Sequence, residues 1–331
     1  MGLFERKSSS PPAFPPSPSS VINAPAPPQA APEQDARPSS SGPKAEVISF
    51  ANQKGGVGKT TVASCLARVA ARRGKRVIVC EVAADERGHA EVEVAAGIHS
   101  IAVDPEQAMR EYLTDQVGGA LSKVMTGSRV FTYLAAAAPG LRELLTIGKV
   151  WDLAQLDERR TGNTPYDMVI LDAPATGHAL GMLRTPRTFR DVARVGPISR
   201  QAGRIDAFLT DPELTGIVAV AAPEEMPVNE TIDFIAALGD EMHMKPDAVV
   251  VNGVYPERFR DAEVEAIEAV GVDAPPLRAA LASARRARHH RNQVRRLRRR
   301  VPAITLPFLF QPTLDGSGVE RLSRVLEGRL G

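Results

Sequence analysis

The sequence predicts an α/β protein with a doubly wound, mostly parallel sheet flanked by helices. Three observations lead there. Short, continuously apolar runs alternate with segments of helical period, as expected of strands covered on both faces. A glycine-rich stretch, Phe50–Thr61 (FANQKGGVGKTT), separates the first such run from the first helical segment. The stretches Gln53–Thr61 and Asp172–His178 and the residue Asn252 all fall at carboxyl ends of expected strands, where open α/β sheets bind ligands.

Residues 1–43 hold 11 of the 27 prolines, with Ser and Ala filling most of the remainder. Such a tail cannot bury enough apolar area to offset its ordering entropy, so it is expected to be disordered, with polyproline character around Pro11–Pro18 and Pro25–Pro28. Residues 44–331 are expected to form one domain, its folded part starting near Glu46. Val47–Ala51 reads as a strand and Thr61–Arg73 as a helix, with Val62, Leu66, Val69 and Ala70 at helical spacing and Gly74 as its C-cap. Arg76–Val82 reads as the next strand. Ile101–Leu156 reads as mostly helical, an insert of about 101–160 broken at Pro139-Gly140. Tyr166–Leu171 is an expected strand ending in Asp172, and helices are expected through about Leu209. Gly216–Ala222, Ala248–Asn252 and Ala303–Pro307 read as further strands. No internal repeat is visible.

Composition narrows the class. The chain has 331 residues, 43% hydrophobic and 24% charged, enough for one large core. No apolar run approaches the roughly 20 residues of a membrane helix, and no secretory segment follows Met1, so no integral membrane segment is expected and the expected location is cytoplasmic. Arg6 stands where a myristoylation signal wants Ser or Thr. Cys65 and Cys80 read as small buried hydrophobes, and there is no CxxC or Cys/His cluster. The net charge of +2 conceals nine Arg and no acid within 285–300. That run carries Val294 and Leu297 at helical spacing and reads as a basic helix. It is open to an intramolecular, protein-partner, membrane or nucleic-acid role; nothing aromatic interleaves it, so nucleic acid is not the expected partner.

The glycine-rich stretch carries the chemistry. A turn of this kind between strand and helix points successive N–H groups inward, and the helix start adds positive potential, so a phosphate can be cradled there. Gly55, Gly56 and Gly58 permit the tight turn; with Val57, Lys59, Thr60 and Thr61 they are the candidate phosphate-binding residues. Lys59 would reach the β- and γ-phosphates, Thr60 would bind Mg²⁺, and Asp172 would hold the same ion directly or through its water. ATP and Mg²⁺ are thus the expected cofactors. Asp172–His178 (DAPATGH) would respond to the γ-phosphate.

One position departs from the ordinary phosphate-loop pattern: Gln53 replaces a Gly and Lys54 follows it. Lys54 resembles the signature lysine of the deviant phosphate-loop ATPases, which include ParA, MinD and the ArsA-type ATPases. DAPATGH looks like the switch of the ArsA-type family, which includes arsenite-pump ATPases and ATPases that target tail-anchored membrane proteins. Asp104-Pro105-Glu106, Ala138-Pro139-Gly140 with Glu143-Leu144, Pro223-Glu224 with Glu230-Thr231, Val251-Asn252-Gly253 and Leu306–Gly318 resemble further segments of that family. Val195–Ile205 and Pro223–Thr231 are similar to its paired actinobacterial members. The resemblance spans roughly 46–330.

It implies a P-loop NTPase fold and a Mg-dependent ATPase that works as a dimeric switch. Lys54 would reach the partner subunit's nucleotide. Asn252 would read adenine, and Pro307 and Phe308 would cover the purine. The dimer would be formed with a second copy or with a paralogous ATPase. A hydrophobic client helix or membrane protein is a possible cargo, with Met182, Leu183 and Phe189 as candidate groove residues. Two departures bear on this. Ala83 stands where the family places a switch Asp that positions water, with Asp85 the nearest substitute, and a positioned base contributes ~10²–10⁴-fold. Without a CxxC, a zinc-clamped homodimer is not expected. A weakly active regulatory partner and a ParA/MinD-like positioning ATPase stay open as alternatives. An arsenite-efflux subunit is disfavoured, because Cys65 and Cys80 fall on separate elements.

Overall fold

Described side chains of the sheet's inner strands alternate between two helical layers, and both layers bury them. The computed structural model describes residues 46–51, 56–82, 90–105, 107–109, 111, 140–155, 165–173, 179–193, 195–270 and 274–330. The elements are β1 (Glu46–Ala51), α1 (Lys59–Arg72), β2 (Val77–Val82), β3 (Val92–Ala95), β4 (Ile98–Val103), α2 (Leu141–Leu153), β5 (Met168–Asp172) and α3 (Ala179–Ala193). They continue with α4 (Pro197–Thr210), β6 (Thr215–Ala221), α5 (Glu225–Met242), β7 (Ala248–Val254), α6 (Asp261–Ala269), α7 (Pro275–Arg298), β8 (Ile304–Pro307) and α8 (Gly316–Leu330).

The strands form one sheet in the order β3-β4-β2-β5-β1-β6-β7-β8. Neighbours run parallel except β3 and β4. The first strand is thus central, between β5 and β6, and the chain leaves it toward both edges. That topology opens a crevice at its carboxyl end.

Strand alternation sorts the core. Val77, Val79, Met168, Ile170, Val218, Val220, Val250 and Leu306 pack with α1 and α8. Their neighbours Ile78, Cys80, Val169 and Leu171 face α2, α3 and α4, while Ile217, Ala219, Val249 and Val251 face α3, α5 and α7. Each buried aliphatic side chain contributes about 1.5–3 kcal/mol relative to exposure. Double-sided burial explains why these strands read as continuous apolar runs.

Helix α1 ends in a Schellman arrangement. Gly74 takes φ 80°, its N–H donates to the Ala71 carbonyl, and the Lys75 N–H donates to that of Ala70. The last helix docks on the first: Arg72 donates to Glu327 at 2.8 Å and to Ser323 at 2.9 Å, and pairs with Glu320 at 3.3 Å.

One sequence expectation is corrected. Residues 101–103, read as the start of a helical insert, close strand β4 instead. Ile98, Ile101 and Val103 are buried against β2 and its helical cover. A free sheet edge beside β2 overrides a helical pattern that is weak in so short and β-branched a run. The expected tail and the stretches 112–139 and 156–160 of the expected insert lie outside the described residues. Met182 and Leu183, offered as groove residues, are 5% and 2% exposed and belong to the core, with Phe189 packed against it. No described helix is long and apolar enough to cross a membrane.

Candidate functional site

The site is assembled where β1, β5 and β7 end and α1 begins. Gly58 caps α1 in the left-handed region at φ 86°, and Gly56 precedes it at φ 80°. A Cβ on Gly58 would lie 2.1 Å from Asn252 Nδ2, so no other residue fits there without displacing Asn252. That amide donates to the Val57 carbonyl at 3.2 Å and ties the turn to β7. Val57 is buried, and Lys59, the first residue of α1, is only 7% exposed.

Strand alternation places three polar side chains on the α1 side of the sheet. Asp172 follows Met168 and Ile170 on β5, Asn252 follows Val250 on β7, and Glu81 follows Val77 and Val79 on β2. The Thr60 hydroxyl donates to Asp172 Oδ2. Asp172 Oδ1 is buried and has no hydrogen-bond partner among the described residues. A buried carboxylate oxygen left in this way, beside a hydroxyl, is a donor set that fits a hard divalent cation. Thr60 and Asp172 would hold Mg²⁺, and the Gly56–Gly58 turn with Lys59 would hold the phosphates.

Electrostatics agree with such a ligand. Burial pushes the Asp172 carboxyl above its ordinary range; the Thr60 hydrogen bond and the Lys59 charge oppose this, and Glu81 adds to it. Burial pulls the Lys59 ammonium below its usual value, and Asp172 only partly restores it. In both groups burial disfavours the charged form, and the charge of the other partly offsets it.

Glu81 was not singled out from the sequence. It pairs in register with Asp172 across adjacent parallel strands, a relation between residues distant in the chain. Its signal was the single acid inside an otherwise apolar strand, VIVCEV.

At the other end of the crevice, Pro307 closes β8 and the Phe308 N–H donates to the Val254 carbonyl at 2.9 Å. Phe308 stacks on Tyr255 with ring centroids 4.8 Å apart, and Phe310 lies 5.1 Å from the same ring. Phe308 remains 39% exposed, and a Cβ on Gly253 would sit 3.9 Å from it. Phe308 thus lies beside Gly253, the residue after Asn252, and Tyr255, which the sequence did not single out, stacks on it. Lys54, Gly55, Ala83, Asp85 and residues 174–178 of the expected switch lie outside the described residues.

The two thiols are buried and free. Burial pushes Cys65 up to about 12 and raises Cys80 as well. Cys65 packs in the α1 layer and Cys80 on the opposite face of the sheet.

A parallel sheet with a glycine-rich turn after its central strand, feeding a helix whose first Thr meets a strand-end Asp, defines the P-loop NTPase fold. Within that class the chain belongs to the anion-transporting ATPase family, whose profile matches residues 46–200 and 192–271. It is 29% identical over 248 residues to ATPase BagA of Mycobacterium tuberculosis, covering 70% of this chain and 72% of that one. It is 27% identical over 259 residues to an ATPase ASNA1 homolog of Entamoeba histolytica, covering 62% and 76%. It is 28% identical over 262 residues to an arsenical pump-driving ATPase of Escherichia coli, covering 66% of this chain and 41% of that one.

Proposed function

We propose that the protein binds Mg²⁺·ATP, hydrolyses it, and works in the cytoplasm as a two-subunit switch. The observation that carries this reading is the Thr60–Asp172 hydrogen bond beside a buried Asp172 Oδ1 that has no partner among the described residues, at the start of the helix that follows the glycine turn. Bound Mg²⁺ would neutralise charge on the phosphates. The chain's own residues do the positioning. The turn amides and Lys59 hold the triphosphate, Thr60 and Asp172 orient the metal, and Asn252 with Pro307 and Phe308 receives the adenine. Lys54 completes the partner subunit's site. Glu81, in register with Asp172, would supply a carboxylate beside the site where Ala83 provides none; Asp85 is the other acid available for that work. Residues 172–178 change shape as the γ-phosphate leaves. Val192, Val195 and Ile198, 77%, 83% and 50% exposed around the α3–α4 turn, offer apolar surface to a hydrophobic client segment.

The test is ATP turnover against protein concentration, with the Lys54→Ala and Lys59→Ala proteins beside the unaltered one. Turnover per subunit should rise with concentration and collapse in Lys54→Ala, while Lys59→Ala should lose ATP binding by calorimetry. Unchanged ATP affinity in Lys59→Ala sinks the site. Binding without turnover at any concentration favours the second reading, a partner subunit of a paralogous ATPase, which the absence of an acid at Ala83 supports.

A further inference from the structure

The arginine-rich run divides into two parts with different surroundings. In the first, the side chains are engaged. Arg285 pairs with Glu268 at 3.3 Å, Arg288 with Asp261 at 2.6 Å and Arg291 with Glu257 at 2.7 Å, while Arg286 lies over the Tyr255 ring. Ala287, His290, Val294 and Leu297 are buried and seat α7 on the domain. In the second part, Arg296, Arg299 and Arg300 line a cavity of about 200 Å³ with Asn229, Ile232 and Asp233 of α5. None of these three guanidinium groups forms an ion pair among the described residues. The cavity lies in the α5/α7 layer, on the opposite face of the sheet from α1.

Arginines at a helix end complement the partial negative charge of the last carbonyls. Arg298 lies in that last turn and donates to the Ala303 carbonyl, outside the helix and just before β8, at 3.0 Å. That role does not require three more to converge on a concavity facing α5. Three guanidinium groups against one carboxylate leave two positive charges in excess. A phosphoryl group carries about −1.5 to −2 at neutral pH and matches that excess, whereas a single carboxylate does not. Arginine forks suit its oxygens bidentately. The volume is below the ~300–1,000 Å³ of sites for drug-sized ligands and suits a phosphoryl group better than a whole nucleotide.

We propose that Arg296, Arg299 and Arg300, with the Asn229 amide, form a binding site for a phosphoryl dianion, supplied free in solution or on a phosphorylated side chain of a protein partner. Asp233 sets the charge, and Ile232 forms the apolar wall.

Inorganic phosphate is titrated calorimetrically into the full chain carrying Lys59→Ala, so that the phosphate loop contributes least. A capped phosphoserine tripeptide is titrated in parallel. Saturable binding is expected, roughly tenfold weaker after Arg299→Lys, which keeps the charge but loses the fork, and lost after combined Arg296→Ala, Arg299→Ser and Arg300→Ser. The probe that binds more tightly identifies the source. Absence of saturable binding by both probes overturns the site, as does binding equal in the triple variant and its parent. If the triple variant does not fold, Arg299→Lys decides: unchanged affinity there counts against the site. Only heat that responds to the arginines is scored, so the result is independent of the ATP reading.

Discussion

Burial acts in opposite directions on the two charged groups beside the glycine turn, lifting Asp172 and lowering Lys59. In mildly acidic solution part of Asp172 therefore carries a proton at a pH where an ordinary aspartate would not. Mg²⁺ would require the carboxylate, so its binding there would release that proton. In alkaline solution part of Lys59 loses its proton earlier than an ordinary lysine, and a triphosphate would require the ammonium, so its binding would take one up. Calorimetry of Mg·ATP in buffers of different ionisation enthalpy should show release at the acid end and uptake at the alkaline end. Glu81→Gln removes a charge that raises Asp172 and should move the acid limb to lower pH; an unmoved limb argues against Glu81 acting on this site. Thr60, Asp172 and Asn252 were legible in the sequence because each closes a recognisable strand or opens a helix. Glu81 was not, because its meaning comes from register with β5, which no local pattern encodes.

At the scale of elements, the alternation of apolar strands with helical segments was readable for β1, β2 and β5 to β8, within a residue or two at most ends. The hairpin of β3 and β4 was not. Its strands are short, Val92 and Val94 are exposed rather than buried, and the pairing depends on an edge that exists only once β2 is in place. The docking of α8 on α1 was likewise invisible, since Arg72 and its partners Glu320 and Glu327 stand far apart in the chain. The ion pairs there are part-exposed and contribute little individually. The apolar contact does more: Leu326 is 1% exposed within the core shared with α1. Leu326→Ala should cost about 2–5 kcal/mol in denaturant-induced unfolding. A cost below that of an exposed alanine substitution would mean that α8 is not an integral part of the core.

Across the whole molecule, the sheet is a barrier between two cores, and the thiols stand on its two sides. Cys65 and Cys80 cannot share a soft metalloid ion while the sheet is intact. A thiol-specific chromogenic reagent should leave both unmodified in the native protein and react with two thiols after denaturation. Arsenite should leave turnover unchanged, and a several-fold rise would overturn that reading.

The central place of β1 also governs when the site comes into existence. This strand is made before its neighbours β5 and β6, and α1 acquires its outer cover only from α8. During synthesis the ribosome therefore releases the glycine turn long before Asp172, Asn252 and Phe308 emerge to complete it. The nascent chain cannot present the complete site, and assembly waits for nearly all of the domain, an order of events with many long-range contacts that favours slow closure.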